Sequence, residues 1–328
     1  MERNKTLDVI KGFCCLLVIA THFDWSAAEY KRLLFAFWLD IPIPPFMIIS
    51  GYVGALSARG FREGRLADQY AAGRLCGKLL RFLVPFTAFF LLEFLAYLFV
   101  AGRRFGALEL LRMYLVGGVG PGSYYTPIML QFVFAFPLIY AVIRKHGFRG
   151  LLLCGGVNAA YELLKWAYGM NDGCYRLLVF RYILLIAYGC YLALNPAPVK
   201  RSVSLASFFI GVAFIVAYQY LGYEPVILNM WTYTCFVSAL YVLPVIGQLI
   251  RRGTLRCRPL ELLGRASYNV YLMQMLYYCF GTDFVYRRVP NRMAQLAANL
   301  ILCAAAGLIF HRLEEPVTKR LTRRIVQT

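Results

Sequence analysis

The stretch Leu7-Asp8-Val9-Ile10-Lys11-Gly12-Phe13-Cys14-Cys15-Leu16-Leu17-Val18-Ile19-Ala20-Thr21-His22 is apolar except near its two ends. A run of this length and character is what a helical bilayer crossing requires. Lys11 and His22 stand eleven steps apart, about three turns at 3.6 residues per turn, so their side chains share nearly one face. They are separated by ~16 Å along the axis at 1.5 Å per residue. Ionisable groups in lipid are expensive unless they face a bundle interior or a wet path. The stretch therefore predicts a membrane helix that lines a polar route through the bilayer.

Outward from this helix, the same apolar character fills the chain. Of 328 residues, 60% are hydrophobic, with 25 Phe and 24 Tyr and a mean hydropathy of +0.60, which leaves no room for a sizeable soluble domain. Hydropathy marks about ten spans: 7–25, 34–57, 82–101, 124–143, 150–168, 177–194, 204–221, 226–250, 266–281 and 293–312. With the N-terminus in the cytoplasm, the inner segments hold 24 of the 35 Lys and Arg and the outer ones 11. This bias places both termini inside. The fold class expected is an all-α, polytopic transmembrane helical bundle in the inner (plasma) membrane. Residues 1–316 form the membrane domain, and 317–328 a basic cytoplasmic tail against lipid headgroups. The same asymmetry accounts for the net charge of +19, so a nucleic-acid partner is excluded for want of a basic soluble module.

Arg3 and Lys5 before an apolar run resemble a signal peptide, but no A-x-A site follows and the run holds its own Lys and His. It reads as a retained first helix. The ten Cys are scattered without CxxC or metal-ligand spacing, so neither a disulfide framework nor a metal site is expected.

Pro42, Pro44 and Pro45 predict a kink or break in the second span, because proline removes backbone donors and clashes with the preceding turn. Broken backbone at membrane depth has to be buried in protein or line a wet cavity. The connection 58–81 holds Arg59, Arg62, Arg65, Arg74, Lys78 and Arg81. Arg74, Lys78 and Arg81 recur at i, i+4, i+7 and so present one cationic face. Residues 106–116 read as an interfacial helix, and Gly117-Gly118-Val119-Gly120-Pro121-Gly122 as a loop.

Three groups then match one family. They are Leu7-Asp8-Val9-Ile10-Lys11-Gly12 with His22, Phe46-Met47-Ile48-Ile49-Ser50-Gly51-Tyr52, and Lys78-Leu79-Leu80-Arg81 followed by Pro85. The set resembles the acyltransferase 3 family of bacterial integral-membrane acyltransferases, whose pattern runs LDxLRG…H, FFxxSGF and RxxR with a proline soon after. Leu263-Gly264-Arg265-Ala266-Ser267-Tyr268-Asn269-Val270-Tyr271-Leu272 resembles its LGxxSYxxYLxH, and Glu314-Glu315-Pro316 its ExP. Lys11 and Lys78 stand where Arg is common, Gln274 where a His is common, and Tyr124-Tyr125-Thr126 for Trp-Phe-Leu.

The resemblance implies transfer of an acyl group, acetyl above all, from cytoplasmic acyl-CoA to a hydroxyl of a glycan or glycolipid. Acyl-CoA is then a donor and not a permanently bound cofactor. Imidazole suits the base near neutral pH, which gives His22 that role. Lys11, Arg74, Lys78 and Arg81 would meet the donor's phosphates. Asp8, three residues before Lys11, would hold it, and Ser50, Tyr52 and Trp25 are candidates for substrate contact. A transporter or flippase for a polar metabolite or lipid-linked sugar, or a non-catalytic envelope scaffold, are the competing readings. The first is weakened by the lack of an internal repeat, and the second explains neither Lys11 nor His22.

Overall fold

A computed structural model describes residues 4–59, 66–195, 197–228 and 236–327. Arg3, Arg62, Arg65 and the 229–235 part of the eighth predicted span lie outside these, as does the side chain of Arg59. The described residues are helical and contain no strand. The main helices are α1 (Lys5–Thr21), α2 (Phe35–Trp38), α3 (Ile43–Arg59), α4 (Ala72–Phe99), α5 (Ala107–Leu115), α6 (Tyr125–His146), α7 (Phe148–Ala167), α8 (Ile183–Leu194), α9 (Arg201–Ile215), α10 (Val242–Arg252), α11 (Arg258–Arg265), α12 (Ser267–Phe280) and α13 (Arg292–Gln327). Among the described residues, five segments are long and apolar enough to cross a membrane: Phe35–Ala58, Ala72–Phe99, Tyr125–His146, Arg201–Tyr220 and Arg292–Arg324.

The predicted break in the second span is present. Helix α2 ends at Trp38, and α3 restarts at Ile43 with Pro44 and Pro45 in its first turn, where no intrahelical N–H is needed. Predicted helix 106–116 corresponds to α5. Several boundaries differ from expectation: α1 stops at Thr21, short of 25, and α8 and α10 start at Ile183 and Val242, after the predicted 177 and 226. Helix α4 begins at Ala72, ten residues before the predicted span, because Leu75, Leu79 and Leu80 continue the apolar face between the cations. Helix α13 runs from Arg292 through Pro316 to Gln327, so the basic tail continues the last helix instead of leaving it.

Helices meet where glycine lets backbones touch, the usual device where apolar side chains gain little by leaving lipid. At the α1–α11 crossing a Cβ on Gly12 would fall on the Leu260 carbonyl, and one on Gly264 on that of Asp8. At the α3–α8 crossing Gly51 faces the Ile186 carbonyl and Gly189 that of Ile48. The main core gathers around these crossings, with Ile19, Met47, Ile48, Ile128, Ile186 and Cys190 fully buried.

Candidate active site

Asn4 caps α1, its side chain accepting from the Thr6 N–H at 3.1 Å, and the apolar run carries the helix to Thr21. His22 ends it, its N–H donating to the Ile19 carbonyl at 3.3 Å. The chain then turns back, with the Trp25 indole N–H donating to the Ala20 carbonyl at 2.8 Å. The half-buried imidazole lies edge-on to Tyr278 on α12, centroids 5.4 Å apart. Tyr278 is itself fixed by its hydroxyl donating to the Ile19 carbonyl at 2.6 Å.

His22 opens onto a cavity of about 280 Å³. Helix α1 contributes Cys15, Val18 and Thr21, the break before α3 contributes Asp40 and Pro42, and α12 contributes Ser267, Tyr268, Tyr271 and Gln274. Tyr124 and Tyr125, at the start of α6, supply aromatic walls. Some polar groups here are tied to protein: the Tyr271 hydroxyl donates to the Gly122 carbonyl at 2.8 Å, and the Thr126 and Tyr268 hydroxyls pair at 3.1 Å. Gln274 differs. It is fully buried, yet neither amide atom has a hydrogen-bond partner in the protein. Leaving such groups unmet costs about 1–3 kcal/mol each.

The glycine-rich loop closes one side of the cavity. An ideal Cβ on Gly122 would lie 4.0 Å from the His22 Nε2, so only backbone separates this turn from the imidazole. Glu93, fully buried on α4, holds the loop by accepting from the N–H groups of Val119 at 3.1 Å and Gly120 at 3.2 Å. Gly117, Gly118 and Gly122 have φ of +92°, +102° and +90°, which side chains rarely adopt.

Three turns down α1 from His22, Lys11 pairs with the buried Asp8 at 3.2 Å. Arg265 of α11 approaches the same carboxylate at 3.9 Å, tying the pair to the glycine crossing. Helices α1, α4 and α12 run in the same direction. Cys15 and Phe82 meet the start of α12, through Ser267 at 3.8 Å and Tyr268 at 3.3 Å. Ile19 and Tyr97 meet its far part, through Tyr278 and Cys279. Lys11 lies one turn before Cys15, and Lys78 one turn before Phe82. The cations of α4 are therefore at the same end of the bundle as Lys11. Arg81 is exposed, Lys78 lies 5.7 Å over the Phe136 ring, and Arg74 donates to the Asp68 carbonyl at 2.9 Å.

The remaining sequence candidates stand elsewhere. Trp25 is packed edge-on between Phe23 and Phe35, at 4.9 and 4.8 Å, its N–H already used, so its ring is not a cavity wall. Ser50 and Tyr52 flank Gly51 at the α3–α8 crossing and do not line the cavity at His22. Asp40, Tyr271, Gln274 and Glu93 went unassigned in the sequence, although Asp40 before a proline break and Gln274 within Tyr-Leu-Met-Gln-Met-Leu are polar interruptions of apolar runs. Among the described residues no cluster of His, Cys, Asp and Glu could hold a metal ion, and the described cysteines are free.

Neither the curated proteins nor the solved structures yield a match to this chain. The family model for the acyltransferase domain of the acyltransferase 3 type matches residues 4–311, nearly the whole length, a range that includes the α1 and α12 segments framing the cavity. The chain belongs to the acyltransferase 3 family.

Proposed function

We propose that this membrane acyltransferase moves an acyl group, acetyl in the first instance, from cytoplasmic acyl-CoA to a hydroxyl of a glycan or glycolipid, with His22 as general base. On this reading the chain crosses the inner membrane about ten times, with both termini and the Lys11 end of the bundle in the cytoplasm. The observation that carries it is the placement of His22 on a cavity at one end of α1, with Lys11, Lys78 and Arg81 toward the other end of the bundle.

The donor's phosphates bind the cations, which are strong partners for such oxygens. Asp8 and Arg265 fix Lys11 in place. The ~16 Å between Lys11 and His22 along the helix suits the pantetheine arm, which brings the thioester to the imidazole. His22 takes the proton of the acceptor hydroxyl as its oxygen attacks the thioester carbonyl carbon. The new C–O bond forms, the C–S bond breaks, and the imidazolium returns the proton to the departing thiolate. The products are the ester and free coenzyme A. The turn at Gly117–Gly122 and the aromatic walls limit water access to the thioester.

Radiolabelled acetyl-CoA incubated with purified protein in detergent tests the reading. Consumption of the donor that is lost in His22→Ala is the expected result. Consumption unchanged by that substitution, or no consumption by the wild type, overturns it.

A further inference from the structure

Gln274 sits on the face of α12 that looks at His22. Tyr271, three residues before it, bonds the Gly122 carbonyl beside the imidazole, and Tyr278, four residues after it, packs edge-on against the His22 ring. Residues at i, i+3 and i+7 share a helical face, so Gln274 lies between two contacts that bracket the imidazole. It lines the same cavity, is fully buried, and has both Nε2 and Oε1 without a partner in the protein. Tyr271 and Tyr278, its neighbours on that face, do have protein partners.

A carboxamide presents a donor and an acceptor side by side. A ligand that satisfies both at once needs an acceptor and a donor on adjacent atoms facing the same way, as an amide side chain meets on the edge of adenine. A thioester carbonyl only accepts and would leave Oε1 unmet. A trans secondary amide offers both groups but points them in opposite directions. Two gauche hydroxyls on neighbouring carbons fit: one oxygen accepts from Nε2 while the other donates to Oε1. Resting on the acyltransferase reading above, we infer that Gln274 is the acceptor-binding residue for a vicinal diol, so that the hydroxyl brought to His22 is one with a neighbouring hydroxyl. Asp40, which lines the same cavity, adds a carboxyl group suited to a further hydroxyl of a polyol.

The test measures transfer from radiolabelled acetyl-CoA by the full chain in detergent to cis-1,2-cyclohexanediol and to cyclohexanol at equal concentration. Sites built to hydrogen-bond a substrate hydroxyl discriminate strongly against analogues lacking it. The wild type should favour the diol by at least ~10-fold. Gln274→Met keeps the shape without the polar pair, and Gln274→Glu loses the donor when ionised. Both should cut that ratio by about fivefold or more, a ratio insensitive to how much protein folds. A wild-type ratio near one, or a ratio that both variants retain, overturns the diol subsite. Transfer to neither alcohol while acetyl-CoA is still consumed through His22 overturns it too and leaves the acyltransferase reading standing. No consumption by the wild type overturns that reading, and this inference with it.

Discussion

Glu93 on α4 and Gly120 in the glycine-rich loop are joined by a 3.2 Å hydrogen bond from the glycine N–H to the buried carboxyl, which also takes the Val119 N–H. This bond spans two elements 27 residues apart and fixes the turn whose Gly122 adjoins His22. Removing the carboxyl strands two backbone donors, a penalty of about 1–3 kcal/mol each. Glu93→Ala is expected to loosen the turn and reduce acyl transfer by at least ~10-fold, while Glu93→Gln, which retains one acceptor oxygen, loses less. Acetyl-CoA turnover at matched protein levels checks this, and equal turnover in all three proteins would refute it.

Gly12→Ala and Gly264→Ala each push a methyl into a backbone carbonyl that cannot move aside, since both sit at the α1–α11 crossing. Overpacking of this kind costs ~1–3 kcal/mol or more, so each variant should melt several degrees lower in detergent. Gly156→Ala, on an exposed face of α7 with nothing within 4 Å of the added carbon, is the control. It should be neutral or gain up to ~1 kcal/mol from helix propensity. Melting curves that rank the three alike would contradict the crossing.

How far the fold could be read in advance follows from what lipid conceals. Apolar runs mark an all-helical chain, with five segments of the described residues long and apolar enough to cross a membrane, Pro42, Pro44 and Pro45 mark the break, and the Lys11–His22 spacing marks a helix that lines the cavity. The facing of the other helices was not legible, because a lipid-exposed side and a packed side of a membrane helix are equally apolar and leave no 3.6-residue period. That Gln274, Tyr271 and Asp40 meet at one cavity therefore follows only from the packing of α12 and the pre-α3 break against α1. The partner of Glu93 has no signal in the sequence, since backbone N–H groups in a glycine loop have no side-chain signature. Trp25 and Ser50 illustrate the converse. Adjacency in sequence to His22 or to a glycine says nothing of a chain reversal or of a helix crossing.

Lys78 and Arg81 offer the donor-site prediction. Arg81 is exposed and Lys78 has only the Phe136 ring as a close neighbour among its shown contacts, so neither holds the fold together. Hydrogen bonds to charged groups contribute about 1.5–3 kcal/mol, so Lys78→Ala and Arg81→Ala should each raise KM for acetyl-CoA by roughly 10–100-fold. Added salt should raise the wild-type KM and affect the variants less, since they have fewer screened contacts. A fall in kcat at constant KM would place these cations elsewhere in the reaction.

Glu29 gives a pH-dependent prediction outside the spans. It lies in the Ala27–Arg32 turn beyond His22, where the Ser26 hydroxyl and N–H both donate to Oε2, at 2.7 and 2.9 Å. Arg292, at the start of α13, approaches the same oxygen at 3.3 Å and also donates to the Asp24 carbonyl. The Ser26 hydroxyl first, then its N–H and the Arg292 guanidinium, hold the carboxyl below its ordinary value of 4.5. A depressed carboxyl contributes stability that is complete above its unfolded pKa and is lost as pH falls through the folded one. The melting temperature of the wild type should therefore exceed that of Glu29→Gln by a constant margin between about pH 5.5 and 7, and the margin should shrink as pH falls through the lowered folded value. Thermal melts of both proteins in detergent across that range decide the matter: a margin that persists at pH 3, or that grows as pH falls, would show that Glu29 does not hold this turn through its charge.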